Sequence, residues 1–194
     1  EDYEERLGSA INDSICAQLA MGEQQDGMIG SLIVSAMYGA LFHQKYAVQL
    51  GRWNLVDWPV AMQGMMAASY YNRASEEAIK QSFDEKSAEL CLEKTDVPQA
   101  WPNWSKLAYR SETSLKTMMA TELGMNTEQL PETLRIMVCG AQSGQRAMEL
   151  AHYLKDVEVI AVDESLANVA KATRLSGEMG ICHRRSNTDP LAPT

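Results

Sequence analysis

Up to about position 98 the chain carries apolar and small residues at helical spacing, with no run of strict alternation between apolar and polar positions. The pattern predicts helices over Ala10–Met21, Met28–Leu50 and Pro59–Tyr71, and a more polar amphipathic helix over Ser75–Glu93. Ser75 followed by Glu76 and Glu77 suits a helix start, since a hydroxyl accepts from the orphan amides and carboxylates are favoured at the positive end of the helix dipole. Met62, Met65 and Met66 suit the irregular gaps between packed helices, and Tyr70-Tyr71 is expected to pack rather than to stack on a ligand. Pro98 and Pro102 interrupt the pattern. Gln99–Trp104 therefore reads as a linker crossing a surface, with Trp101 and Trp104 either anchoring it or bordering a pocket. A helix over Ser114–Leu123 follows, and Gly124 stands where a left-handed cap is favoured.

From Leu134 the period changes. Ile136-Met137-Val138-Cys139 is a continuous apolar run, as expected of a strand buried on both faces. In the next segment, Gln145–Leu154, the residues Ala147, Leu150, Ala151 and Leu154 form one helical stripe, leaving Arg146, Glu149 and Lys155 for solvent. Val157–Val162 is a second strand. So compact a strand, helix, strand unit implies a parallel pair joined by a right-handed crossover. Ser165 then caps a helix that would set Leu166, Val169, Ala170 and Thr173 against the sheet. The predicted fold class is a mainly α N-terminal helical domain followed by a truncated α/β, Rossmann-like unit with two parallel strands. The expected divisions are a helical domain over 1–98, linker and helix over 99–133, a partial core over 134–181, and a disordered tail without strand pattern over 182–194.

Composition narrows the function classes. With 194 residues, 45% of them hydrophobic, the chain can build a sizeable core. A formal charge of −9 with scattered Lys and Arg argues against a nucleic-acid partner, because phosphate binding needs clustered cations. Cys16, Cys91, Cys139 and Cys182 lack both C-x-x-C pairing and a histidine at ligand spacing, so neither zinc nor another metal is expected, and a reducing cytoplasm fits best. The uncharged stretch Gly27–Phe42 is shorter than the roughly 20 residues a spanning helix needs, so it reads as a buried helix and no membrane is expected. The acidic opening, Glu1–Arg6, differs from a secretory leader. His43, His152 and His183 stand apart, and no Ser, His, Asp arrangement appears. Glu76-Glu77 and Asp84-Glu85 read as solvated acids on a polar helix face.

The candidate chemistry lies in the turn after the first strand. A turn between a buried strand and a helix directs backbone amides outward, and glycines let a ligand approach the main chain. Gly140 and Gly144 occupy that turn, with Ala141 and Gln142 between them. Asp163, at the end of the second strand, can accept the hydroxyl protons of a ribose. An adenosine-type ligand suits this geometry, and a nicotinamide dinucleotide satisfies the same pattern.

The segment Arg135–Ile181 resembles S-adenosylmethionine-dependent methyltransferases of the type attached to bacterial tetratricopeptide-repeat proteins. Those domains carry a motif like I-L-x-A-G-C-G-T-G-Q-x-A, and the matching residues run from Ile136 to Ala147. Ala161-Val162-Asp163-Glu164-Ser165-Leu166-Ala167 stands where the family has A-V-D-L-S-x-A, and Trp101-Pro102-Asn103-Trp104 is similar to an upstream Y-P-x-W segment. The resemblance implies a cofactor site in which Gly140 and Gly144 flank the methionine and ribose parts of S-adenosylmethionine, Ala141 and Gln142 line the turn, and Asp163 holds the ribose hydroxyls.

Two departures shape the expectation. Gln142 stands where the family has its middle glycine, so a positive φ there is costly and a side chain enters the cofactor's approach path. The chain also reaches Thr194 before the later strands of such a domain. The leading expectation is the front portion of a methyltransferase, acceptor unknown, without its catalytic half. The alternative is a non-catalytic helical interaction or oligomerisation module with a vestigial cofactor site, forming a homo-oligomer through open strand edges.

Overall fold

The computed structural model describes residues 2–83, 104–108, 110–181 and 184–185. It divides into two compact units, Glu1–Ser75 and Glu76–Thr194.

The first unit is helical. Helices α1 (Asp2–Ala20) and α2 (Gln25–Tyr38) are followed by a 3₁₀ turn at Leu41–His43, a single turn α3 (Ala47–Leu50), a second 3₁₀ turn at Leu55–Asp57, and α4 (Val60–Met66). Helix α4 passes through a π-helical turn, Ala67–Tyr71, directly into α5 (Asn72–Gln81), whose residues from Glu76 on belong to the second unit. Ile15, Met28, Leu32, Leu41, Leu50 and Met66 are fully enclosed, and Trp58 nearly so. Removing each such side chain from water contributes about 1.5–3 kcal/mol, which is why this unit has a continuous core. Met62 and Met66 are buried in it, and Tyr70 meets Tyr71 edge to face, so both expectations of packing hold.

Helix boundaries differ from the pattern, beginning with α1, which starts at Asp2 rather than at Ala10. The single helix expected over Met28–Leu50 breaks after Tyr38, where Gly39 turns extended and its N–H closes the last turn on the Ser35 carbonyl. The Ser69 hydroxyl then accepts the Leu41 N–H at 2.9 Å, so a side chain from another helix replaces the lost ladder bond. Ser75 does not start a helix; it lies inside α5, because the π turn carries the chain onward without an interruption to cap. The Trp58 indole donates to the Tyr71 hydroxyl at 2.8 Å, which donates to the Trp53 carbonyl at 2.7 Å. The expected residues 82–93 of the polar helix lie largely outside the described residues.

The second unit contains α6 (Leu115–Leu123), β1 (Leu134–Cys139), α7 (Gln145–Tyr153), β2 (Val157–Val162), α8 (Leu166–Glu178) and a two-residue β3 (Arg184–Arg185). Helix α6 is capped as expected, by Ser114, whose hydroxyl accepts from the Thr117 amide, and by Gly124 at φ +62°. Strands β1 and β2 pair in parallel from Leu134 opposite Val157 to Cys139 opposite Val162. The architecture is thus a helical region followed by a small parallel α/β unit. Arg184 and Arg185 correct the expectation that no strand pattern follows position 181, since they pair in parallel with Ile160 and Ala161. The remainder of that expected tail lies outside the described residues.

The strand β1 is not buried on both faces. Leu134, Ile136 and Val138 are half-buried while Arg135, Met137 and Cys139 are exposed. Right-handed crossovers in the order β1, β2, β3 place α7 and α8 on the same face, which agrees with that alternation. Glu149 and Glu76 also differ from expectation. Glu149 is 7% exposed and accepts from the Arg146 guanidinium at 3.1 Å. Glu76 accepts from Nε and Nη2 of Arg174 at 3.0 and 2.9 Å, so an acid predicted to be solvated is a buried clasp between α5 and α8. Burial of both carboxylates follows from a guanidinium beside each, without which the desolvation cost would be prohibitive.

Candidate functional site

The turn between β1 and α7 is built from three left-handed residues, Gly140 at φ +62°, Gln142 at +51° and Gly144 at +83°. The Ala141 N–H donates to the Val162 carbonyl at 3.1 Å, which ties the turn to the end of β2. The Gly144 N–H donates to Ala141 O at 2.9 Å, closing the turn, and the Gly144 carbonyl accepts the Met148 N–H as α7 begins.

The two glycines are needed for different reasons. A Cβ on Gly144 would stand 2.6 Å from the Ala172 Cβ and 3.2 Å from the Met148 Cε, so this position lets α7 and α8 approach closely. A Cβ on Gly140 would meet nothing within 4 Å, so only its left-handed backbone requires glycine there, and the space beside it is open. Gln142 adopts the same conformation with a side chain, at a cost of roughly 1–2 kcal/mol.

Asp163 offsets that cost. Its Oδ2 accepts the Gln142 N–H at 2.6 Å, and its Oδ1 accepts from the Ser165 amide and the Asn168 side-chain amide, both at 2.9 Å. The carboxylate is only 9% exposed. An ionised carboxylate offers about four acceptor positions. Three are filled by described residues, which leave room for one further donor.

On the inner side of the turn, the Trp104 indole N–H donates to the Ser143 hydroxyl at 2.9 Å and to its carbonyl at 3.2 Å. Ser143 is fully buried, and Trp104 packs against the cluster of Met148, Ala172, Leu175 and Ile181. Trp104 therefore acts as an anchor under the turn, whereas Trp101 lies outside the described residues.

Gly140, Ala141, Gln142, Gly144 and Asp163 are thus brought together at the carboxyl ends of two parallel strands, where open α/β sheets bind ligands. Sequence reasoning did not single out Asn168, Ser143 or Asp156. Asn168 could have been found from its place five residues after Asp163 in a capped first turn. Asp156 has no local signal, since its partners are some 40 positions away: its carboxylate accepts from the Ser114 hydroxyl at 2.6 Å and from the Leu115 amide at 2.7 Å. Burial alone would raise its pKa, but the Ser114 hydroxyl and the Leu115 and Lys116 amides outweigh that and hold the carboxyl below its usual range.

Among the described residues no group of His, Cys, Asp and Glu is placed to hold a metal ion, and no helix is long and apolar enough to cross a membrane. The chain matches no protein-family model, no curated protein and no solved structure.

Proposed function

We propose that the second unit is the cofactor-binding front of an S-adenosylmethionine-dependent methyltransferase core, with its adenosine site at the Gly140–Gly144 turn. The observation that carries this reading is the Asp163 carboxylate, set at the end of β2 and against the Gln142 amide of the turn. A ribose hydroxyl can take the acceptor position of Asp163 that no described donor fills, and the open space at Gly140 admits a ligand to the backbone. The second ribose hydroxyl must displace Asn168 or the Gln142 amide, so the expected affinity is low. When bound, S-adenosylmethionine supplies an electrophilic methyl group. In this reading the part of the turn residues is binding and orientation.

Titration calorimetry with S-adenosylhomocysteine tests this. Binding near 1 mM, lost in Asp163→Ala and stronger than binding of NAD, is the expected result. Absence of heat at millimolar ligand, or preference for NAD, refutes it.

A second reading, a helical interaction module, is favoured by a specific feature of α2. Ile33, Met37 and Tyr38 are 42, 79 and 50% exposed on a helix with no charge after Asp26. Self-association at high concentration that Met37→Lys abolishes would support it, and a monomer by light scattering would count against it.

A further inference from the structure

We propose that the second unit carries a separate binding site for a small apolar monocarboxylate, between α7 and the segment that leads into α6. A cavity of about 200 Å³ lies there, with Met118, Leu150 and Leu154 as its apolar wall and Arg110 and Arg146 among its polar lining. It shares no residue with the glycine turn and does not depend on the cofactor reading.

The charges select the ligand. Glu149, also in the lining, is buried and already neutralised by Arg146 at 3.1 Å. Among the described residues no carboxylate pairs with Arg110, so none of them compensates its guanidinium. A planar guanidinium fork matches a carboxylate through two parallel hydrogen bonds. A second anionic group would have no cation to meet, and a cationic ligand would have to compete with Arg146 for Glu149.

The size also selects. A dry apolar cavity of about 150 Å³ accommodates benzene, so one of about 200 Å³ takes a six-membered ring or branched alkyl group with a short carboxylate arm.

The walls are fixed without an occupant. Thr113 forms a bridge to α7's end, its N–H donating to the Tyr153 carbonyl at 2.9 Å and its carbonyl accepting the Lys155 N–H at 3.1 Å. The Tyr153 hydroxyl donates to the Ala108 carbonyl, and Asp156 holds the start of α6. A pre-formed site of this kind loses little affinity to ordering on binding.

Phenylacetate is the probe, titrated into the full chain and followed by backbone amide resonances. Shifts at Thr113, Leu150 and Leu154, with a Kd of about 1 mM, are expected. Phenylacetamide, of the same shape without charge, is expected to bind at least about tenfold more weakly, as is phenylacetate to Arg110→Gln. Leu150→Trp, which fills the cavity, should abolish the shifts; Arg110 is exposed, so its variant tests the proposal even if the tryptophan variant misfolds. Equal binding of acid and amide, unchanged affinity in Arg110→Gln, or no shift at these amides with about 10 mM phenylacetate would overturn it.

Discussion

The two units are held together by different means. In the first, Ile15, Met28, Leu32, Leu41, Leu50 and Met66 are sealed in one cluster, and even its polar chain serves that packing. Ser35 donates to the Asn12 carbonyl oxygen at 2.9 Å, so the fully buried Tyr46 hydroxyl, whose pKa burial raises, is the donor in its 2.6 Å contact with Ser35. In the second, the buried apolar cluster comprises Met148, Ala172, Leu175 and Ile181, and one face of β1 is exposed. Polar clasps do much of the positioning there: Arg174 on Glu76, Asp156 on the start of α6, Trp104 on Ser143, and Asp163 on Gln142. Apolar cores tolerate exchange of one residue for another of like volume, whereas a clasp fails when either partner is removed. The unit built from clasps is also the one whose backbone is strained, at Gln142 in the turn after β1.

Substitutions can break this contrast. Leu32→Ala, in the first unit, should cost about 3–4 kcal/mol in urea denaturation, and Leu32→Met less than about 1.5. A similar cost for both would mean that the first unit is as shape-dependent as the second. Glu76→Ala should cost about 3 kcal/mol, because Arg174 is left with the exposed Glu178 as its remaining partner. A loss below about 1 kcal/mol would show that the buried pair contributes no more than a surface one. For Gly144→Ala a cost of about 2–3 kcal/mol is expected, from a left-handed alanine and the 2.6 Å clash with Ala172, read as loss of the Trp104 fluorescence signal at lower denaturant. If Gly140→Ala costs as much, the close approach of α7 and α8 is not what distinguishes the two glycines.

The smallest expected effect is at Asp156, where Asp156→Ala should cost about 1 kcal/mol. Its carboxyl titrates below its unfolded value, so its contribution is present above the ordinary carboxylate range and is lost as pH falls through the lower folded pKa. The gap between parent and variant should therefore close on the acid side of that range. A gap that persists at low pH would assign the effect to packing.

Legibility in the sequence followed the range of the interactions. Strand β2 and the caps of α6 were readable because they depend on neighbours within four positions: Val157–Val162 is apolar at every position but Glu158, Ser114 precedes its helix and Gly124 ends it. The turn residues and Asp163 were readable for a related reason, since a strand, turn, helix unit fixes where its glycines and the next strand's end must meet. The break after Tyr38 was not, because Gly39 marks it only weakly and the bond that stabilises the chain beyond it comes from Ser69, 28 positions from Leu41. Burial of Glu76 depends on Arg174, 98 positions away, and exposure of Met137 on which face of β1 the helices cover. Apolar content alone does not report either. Gln142 was the most instructive position: the sequence indicated that a positive φ there would be costly, and the structure places it at +51° with the Asp163 carboxylate holding its amide.

Gln142→Gly removes the side chain from the turn and the strain from its backbone, while Asp163 and the two flanking glycines stay in place. Calorimetry with S-adenosylhomocysteine on the parent chain and on this variant is the direct comparison. Affinity should rise by about tenfold in Gln142→Gly, equivalent to about 1.4 kcal/mol. Equal affinities, or no binding by either protein at millimolar ligand, would contradict the assignment of the Gly140–Gly144 turn as a cofactor site.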